Sequence, residues 1–159
     1  RHPERFAGVK ELVEKRAFHT VTRTQNEPCS AATSVFLVNT MGEVPLFYAC
    51  SDIAFVGGSL VSIGGHNLLE PAAQGLPIVT GPHLYNAQDI ADKFIELGAC
   101  RIVTNADALA RVVSRLLEKP DEAEQIGSAG LTVLEQNRGS LERLLVLLAP
   151  LLDNKVAAG

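Results

Sequence analysis

A regular alternation of short apolar runs with segments of helical periodicity constrains the fold of this chain more than any other feature. Each run has the length or the β-branched content of a strand. The runs predicted as strands are residues 18–24, 35–38, 53–56, 77–80 and 100–103. Between and after them, apolar residues recur at three- and four-residue spacing, which predicts helices. The predicted helices are residues 3–17, 41–51, 72–75, 86–97 and 121–137. Two more are predicted: one that is capped by Asn105 or Asp107 and ended by Pro120, and one that begins at residues 139–140.

Strands that alternate with helices build βα units, and such units form a mostly parallel sheet with helices on both faces. The sequence therefore predicts a Rossmann-like α/β fold. A length of 159 residues suits one domain, predicted to span residues 1–153, with a flexible tail at 154–159. The first residue is not methionine, so we expect the chain to be a piece of a longer protein.

Composition excludes several classes of protein. Hydrophobic residues make up 47% and charged residues 20%, as in a soluble globular protein. A net charge of −4 argues against binding nucleic acid. The longest nearly apolar run, residues 144–152, is shorter than the roughly 20 residues that span a bilayer. Cys29, Cys50 and Cys100 form no CxxC pair, so we expect reduced, mostly buried thiols.

A glycine-rich stretch follows the third predicted strand, from Gly57 to Pro71. Its glycines, Gly57, Gly58, Gly64 and Gly65, let the backbone turn sharply and approach a ligand closely. Backbone amides of such a loop, next to a helix N-terminus, bind phosphate groups. Gly57, Gly58, Ser59 and Gly65 are therefore candidate phosphate contacts, although glycine pairs can also form simple tight turns. His66 is a candidate contact for a phosphate or a sugar hydroxyl, or merely a partner of the loop itself.

Glu70 is the most informative single residue. A carboxylate at a helix mouth stays ionised and can accept hydrogen bonds from both hydroxyls of a ribose. The alternative is a capping box with Asn67, three residues earlier, which would serve the helix alone. Pro71 argues against that alternative, because a proline four residues after an N-cap removes a helical hydrogen bond.

Outside the glycine-rich stretch, the chain has fewer candidate ligand-binding residues. Met41, Gly42 and Glu43 begin a predicted helix after a strand, although an acidic residue in a first turn is expected on dipole grounds alone. Arg1 can bind a phosphate through two donors, or is a solvated terminal charge. No HExxH, CxxC or carboxylate cluster occurs, so neither a metal nor a cofactor is expected. Because ligands bind at the carboxyl ends of parallel strands, the loops at 39–43, 57–71 and 81–86 are predicted to line one cleft.

Several motifs together resemble the C-terminal half of the Kdo transferases, which move 3-deoxy-D-manno-octulosonic acid (Kdo) from CMP-Kdo to a lipid A precursor in lipopolysaccharide synthesis. The motifs are Met41-Gly42-Glu43, the stretch 52–59, Gly64-Gly65-His66-Asn67-Leu68-Leu69-Glu70-Pro71, and Gly81-Pro82-His83 with Asn86. The resemblance runs from Arg1 to Gly139. A combination of MGE with GGHNxLEP at this separation is specific, whereas a lone Glu-Pro indicates only a glycosyltransferase.

The resemblance implies the C-terminal half of a GT-B fold, in which two Rossmann-like domains enclose the active site. It implies that CMP is bound by Arg1, by Met41, Gly42 and Glu43, and by Asn67, Leu68, Leu69 and Glu70. It also implies that the catalytic glutamate and the lipid A acceptor site lie in an N-terminal domain, so no catalytic residue is expected here. The whole enzyme is then expected at the cytoplasmic face of the inner membrane, and this chain is expected to be soluble and inactive alone.

Two other functions fit the same residues. One is a GT-B enzyme that uses a UDP-sugar. The other is a nucleotide-binding or protein-interaction domain without catalytic activity.

Overall fold

The computed structural model describes residues 2–138. This range divides into two compact units, with the boundary between Phe47 and Tyr48. Both units contain parallel strands and helices, so the predicted α/β fold is confirmed. Arg1, the predicted last helix from residue 139 and the predicted tail at 154–159 lie outside the described residues.

Each predicted strand contains an observed strand, and the strands are uniformly short. They are β1 (Thr20–Thr22), β2 (Val35–Leu37), β3 (Ala54–Val56), β4 (Ile78–Thr80) and β5 (Cys100–Ile102). The α-helices are α1 (Phe6–Glu14), α2 (Val44–Ala49), α3 (Leu69–Ala72), α4 (Gln88–Glu96), α5 (Ala106–Glu118) and α6 (Pro120–Asn137). Single turns of 3-10 helix occur at Pro3–Arg5, Arg23–Gln25 and Tyr85–Ala87.

In the first unit, β1 and β2 pair in parallel, with Thr20 opposite Val35 and Thr22 opposite Leu37. Val21 and Thr22 are buried. The rings of Phe36 and Phe47 pack with their centroids 5.7 Å apart. These contacts join the second strand to the helix that follows it.

In the second unit, β4 lies between β3 and β5, and all three strands are parallel. Neighbouring residues of a strand point to opposite faces of the sheet. Accordingly, Ile78 packs into one core cluster with Phe94 of α4 and Val133 of α6. Val79 packs into another with Leu116 of α5. Helices therefore cover both faces of this sheet, as predicted.

Glycines end two of the helical segments in the same way. After α4, Gly98 has φ +65°, Ala99 N–H donates to Phe94 O and Gly98 N–H donates to Ile95 O. This Schellman pattern satisfies carbonyls at the helix end and requires the left-handed backbone that glycine adopts easily. Gly75 ends the turn after α3 through equivalent bonds. The predicted stop at Gly98 is confirmed, and so is the cap of α5 by Asn105, whose side chain accepts from Ala108 N–H at 2.8 Å.

The structure corrects the predicted start of α2. This helix begins at Val44 rather than Met41, because Gly42 has φ +83° and the backbone is not helical there. The Asn39 side chain does not cap it but bonds to Thr24, through its backbone N–H at 3.0 Å and its hydroxyl at 2.7 Å. Thr40 instead donates its hydroxyl to the Glu43 carboxylate.

Burial of three predicted residues also differs from expectation. Cys29 and Cys50 are exposed and only Cys100 is buried, so the prediction of mostly buried thiols is wrong. Leu117 continues the apolar spacing of Leu109, Val113 and Leu116, which predicts burial, but it is 62% exposed. Helical periodicity places a residue at the margin of a face, and the neighbouring elements decide whether that margin is covered.

Candidate functional site

The carboxyl edge of the second sheet carries two loops that lie side by side. The glycine loop, residues 57–68, leaves β3, and the β4 loop, residues 81–86, leaves the neighbouring strand. In open parallel sheets, this edge is the usual position of ligands. The predicted glycine and GPHxxN segments are therefore brought together.

Ser59 forms the first joint between the two loops. It is completely buried, its hydroxyl donates to Val56 O at 2.5 Å, and it accepts from Gly81 N–H at 2.8 Å. Its own carbonyl accepts from His83 N–H at 3.0 Å. The side chain of this candidate phosphate contact thus holds the loop in place, and a ligand would reach the partly exposed residues beside it, Gly57 and Gly58.

Asn86 forms the second joint. Its backbone N–H donates to Gly64 O at 3.2 Å, and its side-chain amide donates to Ile63 O at 3.0 Å and to Gly65 O at 3.2 Å. Gly64 and Gly65 have φ of +98° and +73°. A Cβ on Gly64 would lie 2.5 Å from Asn86 Cγ, so glycine is needed for both the turn and the contact.

His66 lies beside the first glycine pair. A Cβ on Gly58 would lie 3.4 Å from His66 Nε2, and Gly58 itself has φ +72°. Gly65 N–H donates to Gly58 O at 3.0 Å, which closes the glycine loop on itself. Gly57 and Gly58, which are partly exposed, are thus neighbours of the exposed His66, and Gly65 lies buried beside them.

Asn67 and Glu70 meet at the start of α3. Asn67 accepts from Leu69 N–H at 3.0 Å and donates its side-chain amide to Glu70 Oε1 at 3.2 Å. Leu68 is buried and Leu69 partly buried, which anchors the segment on the core. The structure corrects the predicted helix at 72–75, because α3 spans Leu69–Ala72 and begins three residues earlier. Glu70 therefore lies within the first turn of the helix rather than ahead of it.

Pro71 is neither the first residue of α3 nor an obstacle to a local cap. The helix spans Leu69–Ala72, and its first helical hydrogen bond runs from Ala72 N–H to Leu68 O. Proline therefore occupies a position whose N–H would have no helical partner. The capping box with Asn67 does not form, because Leu68 precedes the helix and no side chain caps it. Asn67 and Glu70 are instead joined through their side chains.

Met41, Gly42 and Glu43 lie in the first unit. Arg23 Nη2 donates to Glu43 Oε1 at 3.0 Å, and Thr40 donates to the other carboxylate oxygen. These two donors, Thr40 first and then Arg23, hold the pKa of the Glu43 carboxyl below its ordinary value of 4.5. Met41 is 57% exposed. Glu43 is thus an ionised, oriented carboxylate beside an exposed, glycine-containing turn.

Sequence reasoning gave no role to Arg23 and used Asn86 only as part of a motif. The spacing of polar residues gives no local signal for Arg23, since its partner is 20 positions away. Among residues 2–138, no group of three or more His, Cys, Asp or Glu side chains is arranged to hold a metal ion. No helix in that range is both apolar and long enough to cross a bilayer.

Fold and site together define a Rossmann-like α/β domain with a glycine-rich loop at the carboxyl edge of its sheet. The sequence profile of the family described as "Glycosyl transferases group 1" matches residues 15–132, which is more than half of the chain. That range includes every strand described above and the whole of the glycine loop.

Similar proteins of known name indicate which members of this family the chain resembles. A 3-deoxy-D-manno-octulosonic acid transferase from Haemophilus influenzae is 47% identical over 98% of this chain and 37% of its own length. One from Bordetella pertussis is 32% identical over 91% of this chain and 34% of its own length. The crystal structure of the C-terminal CMP-Kdo binding domain of WaaA from Acinetobacter baumannii superposes with a TM-score of 0.81 at 39% identity, covering 84% of this chain and 70% of that one.

The chain therefore belongs to the group 1 glycosyl transferases and, within them, to the 3-deoxy-D-manno-octulosonic acid transferases. It spans about a third of the length of the curated relatives it matches, 37% and 34%.

Proposed function

We propose that this chain is the CMP-Kdo-binding domain, residues 1–153 with a tail at 154–159, of an inverting glycosyltransferase that transfers Kdo to a lipid A precursor. The observation that carries the proposal is the similarity, at 39% identity and a TM-score of 0.81, to a solved domain whose title names CMP-Kdo binding. The relatives from Haemophilus and Bordetella support the same reaction, since both are Kdo transferases by name.

The proposed CMP contacts are those implied by the motifs. Glu70 accepts hydrogen bonds from the ribose hydroxyls, and its pairing with Asn67 Nδ2 through Oε1 orients the carboxylate for that role. Gly57, Gly58, Ser59, Gly65 and His66 are the proposed phosphate contacts. Ser59 and Gly65 are buried and the Gly65 N–H already donates to Gly58 O, so the direct contact is assigned to Gly57, Gly58 and His66. Leu68 and Leu69 position the segment, and Met41, Gly42, Glu43 and Arg1 are proposed as further CMP contacts.

In the proposed reaction, a glutamate of a preceding domain takes the proton from an acceptor hydroxyl. The acceptor oxygen then bonds to the anomeric carbon of Kdo while the bond from that carbon to the phosphate oxygen breaks, so CMP leaves. Amide donors at the glycine loop stabilise the charge that develops on the leaving phosphate, without needing a metal. The whole enzyme acts at the cytoplasmic face of the inner membrane, and this chain alone binds the donor without turnover.

Titration calorimetry with CMP, UMP and UDP tests the assignment. We expect clear binding of CMP and weaker binding of the uridine nucleotides. A preference for UDP would overturn the Kdo assignment in favour of a UDP-sugar enzyme. Absence of nucleotide binding by folded protein would favour an interaction domain.

A further inference from the structure

The β4 loop reaches the glycine loop through a single side chain that bonds on both sides of one glycine. Asn86 Nδ2 donates to Ile63 O at 3.0 Å and to Gly65 O at 3.2 Å, so it spans Gly64. The backbone N–H of the same residue donates to Gly64 O at 3.2 Å. Three consecutive carbonyls of the glycine loop therefore accept from one residue of another loop.

The contact is close as well as polar. A Cβ on Gly64 would lie 2.5 Å from Asn86 Cγ and Oδ1, which means that the carboxamide packs directly against the Gly64 backbone. A Cβ on Gly65 would lie 2.8 Å from Leu84 Cδ2 and 3.0 Å from His83 O. The turn at residues 63–65 is consequently shaped by the β4 loop rather than by its own side chains.

The same turn carries the candidate contacts. Gly65 N–H donates to Gly58 O at 3.0 Å, so a displacement of the turn is transmitted to the first glycine pair. His66 and Asn67 follow directly in the chain, and Asn67 is bonded to Glu70. A shift at residues 63–65 would thus change the direction of the loop amides while the buried Ser59 joint remained intact.

We propose that Asn86 is a positioning residue for nucleotide binding, which acts by fixing the glycine loop in the conformation that receives the phosphate. This inference rests on the proposed function for its ligand, CMP, and on the hydrogen bonds above for its mechanism. Asn86 is not proposed to touch the nucleotide. Replacing Asn86 is therefore expected to weaken the contribution of the phosphate to the affinity for CMP.

The test compares the affinities of the 159-residue chain for CMP and for cytidine, which lacks the phosphate. Asn86→Ala is expected to weaken CMP binding about tenfold, as the loss of two hydrogen bonds predicts. Cytidine binding is expected to change much less, so the ratio of the two affinities falls. Asn86→Ser, which is too short to reach both carbonyls, should give the same pattern if the alanine variant folds poorly.

A second readout needs no nucleotide. In amide NMR spectra of the unliganded chain, Asn86→Ala should shift the resonances of Gly57, Gly58 and Gly65 and leave those of α5 unchanged. Gln88→Ala is the matched control, because Gln88 is two positions away and its side chain donates to Asp92 at 2.7 Å on the exposed face of α4, not to the glycine loop. It should change neither readout.

The possible failures are distinct. If the wild-type chain does not bind CMP, the proposed function is overturned, whatever the NMR spectra show. If the wild type binds CMP but Asn86→Ala has the same CMP-to-cytidine ratio, or the glycine resonances do not move, the positioning role is overturned. An equal loss of CMP and cytidine affinity would also overturn it, since that would indicate general damage to the fold.

Discussion

The side-chain oxygen of Ser59 accepts a hydrogen bond from the backbone N–H of Gly81 at 2.8 Å, across 22 positions of sequence. The two residues also touch through their backbones, because a Cβ on Gly81 would lie only 2.2 Å from Ser59 O. The glycine loop therefore supplies the hydroxyl that accepts this bond, and the missing side chain of Gly81 leaves room for the Ser59 carbonyl. The carboxyl edge of the second sheet depends on this pair for its shape.

Replacing Ser59 by alanine should destabilise the protein. The buried Gly81 N–H would lose its partner, and an unsatisfied buried group costs about 1–3 kcal/mol. Ser62→Ala is the control, because Ser62 lies in the same loop and is exposed. Urea denaturation measures the difference, and equal midpoints for the two variants would show that the joint contributes nothing to stability.

Two glycines of α6 should respond to alanine with opposite signs. A Cβ on Gly127 would lie 2.0 Å from Gly75 O, so Gly127→Ala must displace backbone and should cost about 1–3 kcal/mol or more. A Cβ on Gly130 would lie 3.5 Å from Ala72 Cβ, an ordinary contact. Gly130→Ala should then stabilise by up to about 1 kcal/mol through helix propensity. Thermal unfolding distinguishes them, and a shift in the same direction would refute the predicted packing.

The proposed role of Glu70 predicts a loss of binding without a large loss of stability. Glu70→Ala should weaken CMP binding more than about tenfold, since a charge-assisted bond to ribose is removed. Stability should fall by no more than about 1–2 kcal/mol, the cost of a lost cap. Asp89→Ala is the control, because Asp89 also lies in the first turn of a helix, α4. Calorimetry that gives Glu70→Ala the wild-type affinity would remove this residue from the site.

The ion pairs of Glu122 predict an acid-dependent contribution to stability. Hydrogen bonds and charge from Arg115, with a further contribution from Arg101, hold the pKa of the Glu122 carboxyl below its ordinary value of 4.5. Its contribution is therefore present above pH 4.5 and is lost as pH falls through the lowered folded pKa. The difference in unfolding free energy between wild type and Glu122→Gln should shrink on acidification.

Urea titrations at neutral and acidic pH measure that change. Glu118→Gln, on the exposed end of α5, is the matched variant, because no ion pair of Glu118 is present among residues 2–138. A difference for Glu122→Gln that stays constant with pH would exclude the ion pairs as its cause.

The three cysteines should differ in how fast a thiol reagent modifies them. Burial raises the pKa of the Cys100 thiol to about 11, and its residue is only 6% exposed. Cys29 and Cys50 are exposed. A disulfide reagent at mildly alkaline pH should modify Cys29 and Cys50 rapidly and Cys100 only after denaturation, as peptide mass spectrometry would show. Rapid labelling of Cys100 in folded protein would contradict its burial.

The fold could be predicted because the local sequence of each strand is enough to indicate a strand. The apolar run at residues 53–56, for example, is bounded by Asp52 and Gly57, and the alternation of such runs with helices indicates a parallel sheet. The start of α2 could not be predicted in the same way, because Asn39 and Thr40 are good caps in isolation. Their side chains are instead engaged by Thr24 and Glu43, and such partners become visible only in three dimensions.

The sequence predicted which residues belong to the candidate site but not the hydrogen bonds that hold them in place. The glycine positions and Glu70 stand out in sequence, since few other structures need those residues together. The roles of Ser59 and Asn86 depend on bonds across 22 and 21 positions. The burial of Cys100 and the exposure of Cys50 likewise depend on which elements cover them. The predicted convergence of residues 41–43 with Glu70 at one cleft stays a prediction.

The two joints have a kinetic consequence. Amides of Gly81, His83 and Asn86, although they lie in loops, are tied down by hydrogen bonds of 2.8, 3.0 and 3.2 Å. An incoming ligand would then meet loops whose backbone is already held in one conformation, so little ordering entropy is lost on contact. Association should accordingly follow a single fast phase set by diffusion, with no slow rearrangement of this edge.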